Sequence, residues 1–177
     1  MSGARYTLPA ILLHWAQAIL IVWLLWLGWT MTDLPKGAER SAAYSLHKSL
    51  GLLALFLVAL RLGWRRFHPP PASPLQGPLA KVAGATHLAL YAFLLLAPLA
   101  GYLASAFTPY PVKFFGHELP RLFAADEGLN AAFKQLHVAL VWTGAALILL
   151  HLAGTLKHLL LRDGTLQRML PGALLRK

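Results

Sequence analysis

Residues 134–158 read KQLHVALVWTGAALILLHLAGTLKH, and this stretch decides the architecture. Between Lys134 and Lys157 it carries no charge, and it exceeds the roughly 20 residues that a helix needs to cross about 30 Å of hydrocarbon. Two histidines stand inside it, His137 and His151, fourteen positions apart. At about 100° per residue they share a helix face to within about 40°, separated by about 21 Å along the axis. An unpartnered polar group in lipid is expensive. One face with an imidazole at each of two depths therefore calls for a partner at each depth.

The rest of the chain has the same character. Of 177 residues, 58% are hydrophobic and 12% charged, about half the charge of an ordinary globular protein. The net charge is nonetheless +10. In a soluble protein that would suggest nucleic acid. Here the basic residues lie between long uncharged stretches, the pattern of juxtamembrane charge, and no nucleic-acid partner is expected. There is no Cys, which excludes disulfides, thiolate-held iron–sulfur clusters and covalent c-type haem. The first apolar run follows a single Arg without a small-residue cleavage site, so it is expected to be a retained span rather than a signal peptide.

Uncharged runs between Arg5 and Asp33 and between Lys81 and Lys113 give two more spans. A further one, about 44–66, carries Lys48 and Arg61, and intramembrane charge normally has a functional partner. It is kept because an odd helix count would put the two basic clusters on opposite sides. The expected fold is an all-α membrane protein, a four-transmembrane-helix bundle forming one domain over 1–177. Its spans lie at about 8–31, 44–66, 82–106 and 132–160.

Charge sets the direction. Loop two has Arg61, Arg65, Arg66 and Lys81, and the tail has Lys157, Arg162, Arg168, Arg176 and Lys177 against Asp163. Charges cancel in loop one (Lys36 and Arg40 against Asp33 and Glu39) and in loop three (Lys113, Arg121 and Lys134 against Glu118, Asp126 and Glu127). The positive-inside rule then puts both termini and loop two in the cytoplasm. Loop two is expected to be extended, with Pro69, Pro70, Pro71, Pro74 and Pro78. Loop three is long enough to cover the outer ends of the helices. No internal repeat or broken helix suggests a transporter.

Depth then sorts the histidines. His47 opens the second span on the outer side and matches His137. His14 and His87 both lie towards the cytoplasmic side, and either matches His151. Two bis-His sites would hold two b-type haems, filling both axial positions and suiting the iron to electron transfer rather than oxygen binding. The plainer alternative is helix–helix hydrogen bonding. Zinc would need ligands clustered at one depth, which the pattern lacks. Arg61 follows His47 by the same fourteen residues and lands at the inner depth, where its guanidinium suits a haem propionate or snorkels to headgroups. His117, beside Glu118, reads as a solvated loop residue.

These segments resemble the bacterial cytochrome b561 family. They are Leu13-His14-Trp15, Leu46-His47-Lys48-Ser49-Leu50-Gly51, Arg61-Leu62-Gly63-Trp64-Arg65, and His87 with Tyr91. Pro98 to Gly101, Leu136-His137, His151, His158, Arg162-Asp163-Gly164-Thr165-Leu166 and Met169-Leu170-Pro171 complete them. The resemblance covers nearly the whole chain. It implies a multi-pass protein of the bacterial inner membrane, with His47 and His137 on an outer haem and His14 and His151 on an inner one. It also implies electron exchange between a periplasmic donor and membrane ubiquinone. Some short members of the family oxidise superoxide.

An oxidoreductase of that kind, driven by superoxide or another donor, is one expectation. The alternative is a non-enzymatic cytochrome b subunit docking a separate dehydrogenase or hydrogenase. Lys48 and Lys134, next to or one turn from a ligand histidine, would steer an anionic donor or are ordinary interfacial lysines. His158, seven residues beyond His151, and His87 would serve a quinone near the cytoplasmic side, with Trp15 and Arg162 at its border. Otherwise they pack against helices or meet headgroups.

Overall fold

The computed structural model describes residues 5–72 and 75–170. Pro74 of loop two and Pro171, Arg176 and Lys177 of the tail lie outside the described residues. Helices α1 (Leu8–Asp33), α2 (Ala38–Phe67), α3 (Gly77–Ala106) and α4 (Glu127–Leu161) are each long and apolar enough to cross a membrane. A short hairpin, β1 (Lys113–Phe114) and β2 (His117–Glu118), follows α3, and a 3₁₀ turn, Leu166–Met169, follows α4.

The ends follow local chemistry. α1 and α3 begin with Pro9 and Pro78 in the first turn, where a missing N–H costs no helical bond. The Asp126 carboxylate caps α4, accepting from the Leu129 N–H at 2.9 Å, with Glu127 facing the positive end of the helix dipole. α2 and α4 start several residues before the apolar spans do. A nucleated helix propagates through polar residues, so the hydrocarbon boundary does not end it.

Helices adjacent in sequence pack together: α1 on α2, α2 on α3, and most extensively α3 on α4. Leu20 and Leu24 of α1, Leu50, Ala54 and Val58 of α2, and Phe93, Leu94 and Ala97 of α3 form the core. Gly144 is the one buried residue of α4 among those described. The Phe93 ring lies on it so closely that an added Cβ would stand 2.2 Å from Cε2. Here a missing side chain sets the helix approach. Trp23, Trp26, Trp29 and Trp142 are exposed outward, as lipid contact allows, and Trp29 meets Trp142 at 5.5 Å between ring centres.

Both ends are tied down. In the outer hairpin, Phe115 (φ 46°) and Gly116 (φ 89°) are both left-handed, as a type I′ turn requires. The Phe115 N–H donates to buried Ser49 Oγ on α2 at 2.9 Å, which seats the hairpin two residues from His47. At the other end, Trp15 Nε1–H donates to the Met169 carbonyl at 2.8 Å. Arg168 donates to the carbonyls of Pro71 (3.1 Å) and Ala72 (2.8 Å). The 3₁₀ turn thus joins the start of α1 to loop two.

Asp126→Ala should lower stability by about 1 kcal/mol through loss of the α4 cap, whereas Asp126→Ser should retain most of it. Thermal unfolding in detergent measures both.

Candidate functional site

The outer pair joins α2 to α4. His47 and His137 face each other with ring centres 6.2 Å apart and planes at 86°. His137 Nδ1–H donates to the Ala97 carbonyl of α3 at 2.7 Å, which fixes the tautomer and leaves the Nε2 lone pair available. Each ring sits in a notch made by a glycine. A Cβ on Gly101 would stand 3.0 Å from His137 Nδ1, and one on Gly28 would stand 3.1 Å from His47 Cε1. Sequence inspection missed both glycines, since only the folded contact reveals them. His47 Nδ1 is buried without a hydrogen-bond partner, an unusual position for a polar atom.

The inner cluster brings together α1, α2, α3 and α4. His14 and His151 have ring centres 6.4 Å apart at 71°, and His87 lies 5.6 Å from His151 at 62°. Both candidates that depth allowed thus reach His151. Arg61 donates through Nη2 to His14 Nδ1 at 3.1 Å and lies over the Tyr91 ring, 5.0 Å from its centre. Because guanidinium only donates, that His14 nitrogen is an acceptor. Gln17, one turn beyond His14, is 1% exposed. Its Nε2 donates to the Ala54 carbonyl at 3.3 Å, and its Oε1 has no partner.

Other expected residues are dispersed. His158 continues the half-buried strip of His151, Gly154 and Thr155 on α4. Its Nδ1 meets Asp163 Oδ2 at 2.5 Å. The Thr165 N–H donates to Asp163 Oδ1 at 3.0 Å. That backbone donor, followed by His158, pulls the Asp163 carboxyl down to about 2. Asp163 is therefore ionised at neutral pH.

Lys48 lines a cavity of about 510 Å³ at the outer end, together with Lys36, Arg40, Tyr44, Tyr110 and Lys113. Among the described residues no carboxylate lines it, although Lys113 reaches out to Glu118 at 3.1 Å. Lys134 is exposed on α4 and is not part of this wall. His117 is exposed in β2, and His68 stacks on Trp64 at 3.9 Å.

Two metal–imidazole bonds of about 2.0–2.1 Å, with about 1.1 Å from each bonded nitrogen to its ring centre, put opposed axial imidazoles about 6.3 Å apart. The two pairs, at 6.2 and 6.4 Å, match that spacing. Among the described residues no group of three or more His, Cys, Asp or Glu side chains is placed to hold a bare metal ion. The residues present, two imidazoles at each of two levels, fit haem.

The sequence matches the family described as prokaryotic cytochrome b561 over residues 5–172. The chain belongs to the cytochrome b561 family. It is 36% identical over 172 residues to cytochrome b561 homolog 2 of Escherichia coli K12, spanning 94% of this chain and 91% of that one. It is also 28% identical over 173 residues to a Yersinia pestis protein named probable superoxide oxidase CybB, spanning 94% and 96%. As a cytochrome b561 it is a multi-pass membrane protein that carries haem b and transfers electrons across the membrane.

Gly101→Ala should displace His137 and lower the haem b bound per chain. Gly63→Ala, whose added Cβ meets nothing within 4 Å, should leave it unchanged. A pyridine haemochrome assay compares them.

Proposed function

We propose that this cytochrome holds two haems b and moves electrons from superoxide, on the periplasmic side of the bacterial inner membrane, to ubiquinone near the cytoplasmic side. The observation that carries it is the pair of facing imidazoles at each of two depths. Balanced, two superoxide ions and one quinone take up two protons and yield two oxygen molecules and one quinol.

His47 and His137 would hold the outer haem, and His14 and His151 the inner one. Bound haem would supply one-electron exchange at iron, and a pair of imidazoles at each site suits electron transfer over oxygen binding. His14 is favoured over His87 because its 6.4 Å separation from His151 suits opposed ligation, whereas 5.6 Å is short. Ligation through His14 Nε2 leaves a proton on Nδ1, which can no longer accept from Arg61. Arg61 then needs another acceptor, and a haem propionate is the carboxylate such a site brings. His47→Ala and His14→Ala should each leave one haem per chain, while His87→Ala should leave two. A His87→Ala protein with a single haem would reverse the inner assignment.

Superoxide as donor is supported by the cationic cavity lined by Lys48, which follows His47 in the chain, and by the name of the Yersinia pestis relative, probable superoxide oxidase. Focused positive charge raises the local concentration and on-rate of an anion. Replacing Lys36, Arg40 and Lys48 together by Gln should slow superoxide-driven haem reduction by about ten-fold at low ionic strength, with less effect at high salt. A rate independent of both charge and salt would remove superoxide steering from the reading. Lys134→Gln should change the rate less, since Lys134 stands outside the cavity wall.

For the quinone, His158 is the proposed hydrogen-bond donor and proton source, with Trp15 at its border. His158→Leu should abolish quinone reduction while both haem bands persist. Turnover of purified protein with superoxide and a short-chain ubiquinone tests the whole scheme against a subunit that needs a protein partner.

A further inference from the structure

The Arg162-Asp163-Gly164-Thr165 segment has no part in the scheme so far, and its geometry is specific. α4 ends with Arg162 in the left-handed region (φ 52°), and Gly164 is left-handed as well (φ 82°). A non-glycine residue rarely adopts that conformation, which needs support from its surroundings. The two reversals turn Asp163 back onto the last inward-facing position of α4. There one carboxylate oxygen accepts the Thr165 N–H at 3.0 Å and the other accepts from His158 Nδ1 at 2.5 Å. The side chain of His158 is 15% exposed and that of Asp163 34%, so the carboxylate lies between the imidazole and solvent. Trp15 Nε1–H and Arg168 brace the following 3₁₀ turn against α1 and loop two, so the carboxylate is held on a fixed frame.

We infer that Asp163 is the positioning residue for proton delivery to the quinone: it holds the Nδ1–H of His158, so that Nε2, across the ring, is the nitrogen that gives up the proton. The inference rests on the quinone reading above. Reduction of one quinone consumes two electrons and two protons. His158 passes one proton at a time from Nε2 to a quinone oxygen and regains it from solvent at this end of the bundle. Asp163 stays ionised throughout. Its negative charge stabilises the imidazolium, and its contact with Nδ1 disfavours the neutral tautomer that carries its proton on Nε2.

The test uses the intact haem-loaded protein. Asp163→Asn keeps an oxygen for the Thr165 N–H but loses the charge. It should lower kcat for reduction of a short-chain ubiquinone by about ten-fold or more, short of the roughly 10²–10⁴-fold of losing a general acid outright, with KM little changed and both haem bands intact. Asp163→Glu should restore part of the rate. The ¹⁵N signals of His158 should show Nδ1 protonated in the parent protein and a mixture of tautomers in Asp163→Asn, whether or not turnover occurs. Full kcat and an unchanged tautomer in Asp163→Asn, with His158→Leu inactive, would overturn the role of Asp163 and leave the quinone reading standing. An active His158→Leu would overturn the quinone reading itself, and this inference with it.

Discussion

An imidazole inside hydrocarbon costs several kcal/mol unless its nitrogens find partners, and the bundle is organised around that constraint. His137 meets it by giving Nδ1–H to the Ala97 carbonyl, with its ring 6.2 Å from that of His47 between centres. The contact requires α3 to approach α4 closely. Gly101 opens space for the ring at one level, and Gly144 admits Phe93 at another. His47 in turn needs Gly28 on α1, so all four helices set the position of one facing pair. The outer hairpin then closes over this end by bonding to Ser49, next to the residues it covers.

Period and depth made much of this legible in the sequence. His137 and His151 share a face because fourteen residues nearly complete four turns, and the same interval carries Arg61 from the level of His47 to that of His14. Uncharged runs located three of the four helices, and the sidedness of the basic clusters called for α2, which carries Lys48 and Arg61. Helix ends were less legible, because polar first turns of α2 and α4 continue beyond the apolar spans.

What the sequence hid depends on contacts between distant segments. Counted along the chain, the charges of loops one and three each cancel. In space they separate: Lys36 and Arg40 join Lys48 and Lys113 around one cavity, while Asp33 and Glu39 stay off its wall. Lys134 shares with Lys48 a place near a histidine in sequence, yet it stands on another helix outside that wall. Arg168 counted as a tail charge and Asp163 as a tail charge within a family-like segment; one proves to be a brace and the other a carboxylate held against His158. Gln17 carried a weak signal, as the lone amide in an apolar run, but only burial shows that its Oε1 lacks a partner.

The two ends of the bundle also differ in a way that suits the proposed reaction. Oxidation of superoxide releases an electron and oxygen but no proton, so the outer end needs attraction for an anion and no acid. Its cavity offers cations and tyrosines, and the proton on His137 Nδ1 is committed to a backbone carbonyl. Quinone reduction consumes protons, so the inner end needs an acid with access to solvent. The candidate His158–Asp163 couple stands at that end, one member more buried than the other. Electrons would then cross the bilayer along α4, while protons would enter and be consumed at the inner end alone. That division spares the apolar middle, where Phe93 packs on Gly144, from having to conduct anything but electrons.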